Sequence, residues 1–144
     1  MQRDLWGGKQ KIMEDDVKQA VSDYLDSRGI RWWRNNTGRS FVGNRVIAYG
    51  KVGSGDILAL WPTPPYKGVF WSIEIKRPEK GLLDDNQIKW LIETRQAGGF
   101  ASVVEGVDDL LAVFVNPGYL PERYKRGIAA YCKQHKIECP AAWG

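Results

Sequence analysis

The sequence is poor in the residues on which much enzyme chemistry depends. Its 144 residues include a single histidine, His135, and two cysteines, Cys132 and Cys139. Chemistry that needs a histidine base with a second histidine as metal ligand is therefore poorly served. Two thiols are too few, and these two too widely spaced, for a zinc finger, and they read most simply as reduced cysteines. Catalysis, if there is any, has to rest on carboxylates, lysines or hydroxyls. Long apolar runs are missing too. Nothing approaches the roughly eighteen residues of a membrane span, and the opening "MQRDLWGGKQK" has no apolar stretch that could serve as a signal peptide. Together these absences predict a cytoplasmic protein. There is also no repeat, low-complexity tract or linker, so one domain over 1–144 is expected.

What is present can build a core and attract an anion. Hydrophobic residues make up 43% of the chain, enough for one compact unit at this length. The net charge is +4 and the isoelectric point about 9.1. That balance favours a polyanionic partner, although on its own it is common among proteins of other kinds. The basic residues recur in "RWWRNNTGR", "NRVIAYGK", "IKRPEKG" and "PERYKR", interleaved with aromatics and glycines.

Apolar residues at Met13, Val17, Ala20, Val21, Tyr24 and Leu25 have the spacing of one helix face, and Gly29 follows as a stop. Glu14 falls in the first turn, at the edge of that face. "IRWWR" reads as a strand and "NNTGRS" as a polar, basic loop after it. "FVGNRVIAYG" reads as a further strand or ribbon. The run from Asp56 to Trp61 is short, apolar and ended by "PTPP", and Val69 to Lys76 returns as its antiparallel neighbour. In the second run Trp71, Ile73 and Ile75 point one way, and Ser72, Glu74 and Lys76 the other. A capping box of Asp84 and Gln87 opens the next helix, which a Gly-Gly pair closes. "FASVVEG" reads as a strand, "VDDLLAVFV" as a short helix, and "PERYKRGIAAYCKQHK" as a C-terminal helix over about 121–136. The expected class is α/β (α+β), a mixed sheet flanked by helices in the order αβββαβα.

Asp56 and Glu74 then lie on adjacent apolar strands, where their side chains can meet. Two carboxylates at close range in a partly buried site repel unless one binds a proton or a cation lies between them. Magnesium suits such a site, with manganese able to substitute, since both are hard ions that prefer carboxylate, carbonyl and water oxygens. Lys76, two residues beyond Glu74 on the same strand face, can orient an attacking water and offset phosphate charge. Such a set suits metal-assisted phosphodiester hydrolysis. The same spacing also fits a solvated strand face, with Asp56 as a turn residue after Gly55.

"GSGD" followed by "IEIK" resembles the PD-(D/E)xK nuclease motif. The wider context narrows the likeness: a leading helix with Glu14, "GSGDILAL", "WSIEIKRPEKGLLDDNQIKWL" with Gln87 and Trp90, and "GGFASVVEGVDDL". Over about residues 12–115 the chain resembles the VRR-NUC (virus-type replication-repair nuclease) family. Gly55 stands where that family often has proline, a change that removes no ligand. The resemblance implies a restriction-endonuclease-like core and a Mg2+- or Mn2+-dependent endodeoxyribonuclease. Asp56, Glu74 and the main-chain carbonyl of Ile75 would bind the metal, Lys76 would position the water, and Glu14 would complete the site directly or through a metal-bound water. Gln87 would hold a ligand or water in place.

"RWWRNNTGRS" supplies Arg34, Asn35, Asn36 and Arg39 on a loop after a strand, groups that suit contacts to phosphate and sugar that position a duplex without reading it. Arg45, Lys51, Arg77 and Lys80 extend a basic surface beside the site. Trp32 and Trp33, as strand neighbours, should divide between core and surface. The resemblance further implies a homodimer acting on branched DNA, like a Holliday-junction resolvase in phage or bacterial DNA processing. Two alternatives stand beside it: a flap, nicking or non-selective DNA nuclease, and a non-catalytic DNA-binding module on a degenerate nuclease fold.

Overall fold

The computed structural model describes residues 12–140. The first helix, α1 (Glu14–Ser27), buries Val17, Val21, Ser22 and Leu25 along one stripe. Three strands follow in short order: β1 (Trp32–Arg34), β2 (Gly38–Val42) and β3 (Arg45–Tyr49). Next come β4 (Ile57–Leu60), β5 (Phe70–Ile75), α2 (Asp85–Gln96), β6 (Phe100–Val104), α3 (Val107–Val115) and α4 (Glu122–His135).

The main sheet has the order β1-β4-β5-β6. β1 with β4 and β4 with β5 are antiparallel, while β5 with β6 is parallel, as a helical crossover allows. The mixed α/β class expected from the sequence is the one observed. β5 and β6 are buried on both faces, including the polar Ser72, Glu74 and Ser102. On one face α1 and α3 pack over Ile57, Ala59, Trp71, Ile73 and Ile75; on the other α2 and α4 pack over Ala101 and Val103. Each fully buried aliphatic side chain contributes about 1.5–3 kcal/mol relative to leaving it in water. Trp61 lies edge-on to Trp71 and Phe100, with centroids 5.0 Å apart in both cases.

The element order departs from αβββαβα in two places. Five strands precede α2, because "FVGNRVIAYG" turns back on itself at Gly43 and Asn44 and its flanks pair as an antiparallel hairpin. Both α3 and α4 follow β6. The basic loop is also shorter than expected: Arg34 ends β1 and Arg39 belongs to β2, so the connection between them is residues 35–37. No helix among the described residues is long and apolar enough to cross a membrane.

Candidate active site

The register of β4 and β5 pairs Ile57 with Ile73. One step outward, Asp56 stands opposite Glu74, and residues directly opposite share a face of the sheet. Asp56 is fixed by the backbone of the neighbouring strand: its Oδ2 accepts from the Ile75 N–H at 2.8 Å. Its Oδ1 lies 3.6 Å from Lys18 Nζ of α1. Alternate residues of a strand turn N–H and C=O together toward one neighbour, so the Ile75 carbonyl points to the β4 side, as its N–H does.

Glu74 is 5% exposed and Lys76 9%. Lys76 Nζ and Glu74 Oε1 are 3.6 Å apart. Gln87, in the first turn of α2, joins the two. Its Nε2 donates to Glu74 Oε1 at 2.8 Å, while its Oε1 accepts from Lys76 Nζ at 3.0 Å. The same Oε1 accepts from the Asp84 N–H at 3.0 Å, and the Gln87 N–H donates to Asp84 Oδ1 at 2.8 Å. With two donors on one side and an acceptor on the other, the amide has one orientation that satisfies all three. The capping box and the link to Glu74 and Lys76 are thus one network: the side chain that caps the helix also holds the site.

Burial pushes the Glu74 carboxyl up to about 9, helped by the negative charge of Asp56, and only partly opposed by Lys76. A hydrogen bond to Asp56 and the more distant charge of Glu14 push the same way. Glu74 therefore keeps its proton at neutral pH. Its contact with Lys76 is then between a cation and a neutral acid rather than a full ion pair.

Two carboxylates opposed across a strand pair, one of them buried and reluctant to ionise, make a place that a cation can take. Asp56, Glu74 and the Ile75 carbonyl fit a hard divalent ion that keeps several waters. Among the described residues no three acidic, histidine or cysteine side chains converge closely enough to hold a metal ion. Glu14, half-buried at the start of α1, is thus not a third member of a tight carboxylate cluster.

Gly55 has a local reason for standing where the motif often has proline. It is buried, and a Cβ there would lie 2.3 Å from Ser72 Oγ. Ser72 is held in turn by the Trp90 indole N–H at 2.8 Å. The turn before Asp56 therefore sits directly on β5, with no room for a side chain.

The expected nucleic-acid contacts divide into two groups. Asn35 is not a free group: its amide nitrogen donates to Ser54 Oγ and to the Gly55 carbonyl, both at 2.7 Å, and its own N–H donates to the Asp56 carbonyl at 2.9 Å. It braces the turn that carries Asp56. Asn36, Arg34, Arg39 and Arg45 are exposed, as is Lys80, while Arg77 is half-buried. Lys51 is exposed, 3.9 Å from Glu93 and 5.9 Å from the centre of the Trp90 ring. Trp32 packs against the core and donates to Asp26 at 2.7 Å, whereas Trp33 is exposed. Lys18 was not foreseen, although it lies four residues after Glu14 and so on the same side of α1.

No protein-family model matches the chain, and no curated protein matches it.

Proposed function

We propose that this chain is a magnesium- or manganese-dependent DNA endonuclease of the PD-(D/E)xK kind, similar to the VRR-NUC family, acting on branched DNA as a homodimer in the manner of a junction resolvase. The observation that carries the reading is Glu74. A buried carboxylate placed opposite a second one, and held to a lysine through Gln87, is costly for a fold that has no use for it.

Asp56, Glu74 and the Ile75 carbonyl would hold the ion. Bound there, it would supply a Lewis acid for the phosphate and lower the pKa of a water. Lys76, its ammonium anchored by Gln87, would hold an attacking water in line and offset charge as it builds on the phosphate oxygens. The water oxygen adds to phosphorus, the ester P–O bond breaks, and the proton lost by the water ends on the departing hydroxyl. Gln87 keeps Lys76 and Glu74 at a fixed separation, and Glu14 would complete the site directly or through a metal-bound water.

The test is cleavage of a labelled four-way junction beside flap and linear duplex, with magnesium, manganese or chelator. Metal-dependent paired cuts at the junction are expected, reduced about a thousandfold or more in Asp56→Asn, since several kcal/mol of charge stabilisation would go with the ion. Cutting of flaps or linear DNA alone would retain the nuclease and remove the resolvase. Binding without cleavage under either metal would leave a non-catalytic binding module.

A further inference from the structure

The β2–β3 hairpin is built unlike the rest of the fold. All of its strand residues are exposed. Five are large and apolar, with Phe41 77% exposed beside Val42, Val46, Ile47 and Tyr49. A two-stranded ribbon without a covered face is marginal in water, and a cluster of exposed apolar residues marks a contact surface. The charge of the chain around it says what kind. From Ser27 to Gly55 the chain has Arg28, Arg31, Arg34, Arg39, Arg45 and Lys51 and no aspartate or glutamate, which leaves the remainder of this +4 chain net negative.

The register assigns the two faces. Arg39 and Phe41 share one with Ala48 and Val46, and Arg45 shares the other with Val42, Ser40, Ile47 and Tyr49. Each face thus carries one arginine. A ribbon with side chains on both faces is roughly 10 Å thick, close to the roughly 12 Å width of the DNA major groove. The hairpin also springs from the candidate site, because Asn35 and Ser54 at its two ends are bonded to each other next to Asp56.

We infer that the β2–β3 hairpin is a docking arm that enters the major groove of duplex DNA tip first, with Arg39 and Arg45 on opposite faces toward the two phosphate walls and Phe41 adding apolar contact on the Arg39 face. A second copy of this hairpin is a poor occupant, since it would bring arginines against arginines. The inference rests on the nuclease reading for the identity of the duplex as substrate; its binding claim is tested apart from catalysis.

The experiment is fluorescence anisotropy of a labelled duplex in chelator, over a series of salt concentrations, for wild type, Arg39→Glu/Arg45→Glu and Phe41→Ser. Far-UV circular dichroism melts establish that each variant is folded, and light scattering gives its mass. The double variant should lose about tenfold or more in affinity, and its salt dependence should flatten by about 1.8 in slope, the contribution of two phosphate contacts. Phe41→Ser should weaken binding by about tenfold with the slope unchanged. Unchanged affinity in both folded variants overturns the inference, as does a wild type that does not bind duplex. Loss of affinity that follows a fall from dimer to monomer also overturns it, assigning the hairpin to a second copy of the chain. Wild-type binding without cleavage under magnesium or manganese would instead sink the nuclease reading and leave the arm in place.

Discussion

Glu74 imposes a pH-dependent cost on the metal-free protein. In the unfolded chain it ionises near 4.5, while the fold holds its proton until about 9. Below the first value both states are protonated and the site costs nothing. Between the two values the unfolded state alone gains by releasing the proton, so folded stability falls as pH rises and levels off above about 9. The total is on the order of a few kcal/mol. In chelator, melting temperature should therefore drop from pH 5 to pH 9, and Glu74→Gln should flatten the curve; an equal slope in the variant would remove Glu74 as the cause. Gly55→Ala is the second test at this scale. The added methyl would meet Ser72 Oγ, and overpacking of this sort costs about 1–3 kcal/mol, measurable by urea unfolding. Asp56, Glu74 and Lys76 were legible in the sequence because strand alternation places them relative to one another. Lys18 was not, since its approach to Asp56 depends on the angle at which α1 crosses the sheet. Asn35 carries the turn chemistry that suggested a phosphate contact, and the fold spends it on the turn itself.

Among the elements, α2 has the most to lose from a single change. Asp84 accepts the Gln87 N–H, and Gln87 returns the bond while reaching Lys76 and Glu74. Asp84→Ala should cost about 1 kcal/mol in stability, the usual worth of such a cap. It should also lower the cleavage rate more than it raises KM, because it loosens the lysine rather than the DNA contacts. A loss confined to KM would detach the cap from the site. The helices and the two apolar strands were legible because each buries a face, and burial writes a period into the sequence. β2 and β3 bury none, so alternation gave no cue to where "FVGNRVIAYG" divides, and only the Gly43-Asn44 pair marks the bend.

At the scale of the whole molecule, one sheet separates two cores. Trp61, Trp71 and Phe114 lie on the side of α1 and α3, while Leu91, Tyr124 and Ile128 lie on the side of α2 and α4. β6 contributes to both, with Phe100 and Val104 on one side and Ala101 and Val103 on the other, so neither core can melt while the other stays intact. Tryptophan fluorescence and far-UV circular dichroism should report one coincident transition; separated midpoints would show two units in place of one. The covering of both faces could be expected from the sequence, but which helices share a face could not, because that depends on the crossover between β5 and β6. The meeting of the hairpin's ends bears on how such a molecule can change. Gly50 lies so close to Thr37 that a Cβ there would fall 2.7 Å from the threonine methyl. A segment whose two ends touch can be lengthened, shortened or exchanged without altering the distance the remaining chain must span. Residues 38–49 are thus a natural graft point, where a lineage or an engineer can trade one arm for another while the carboxylates behind it keep their positions.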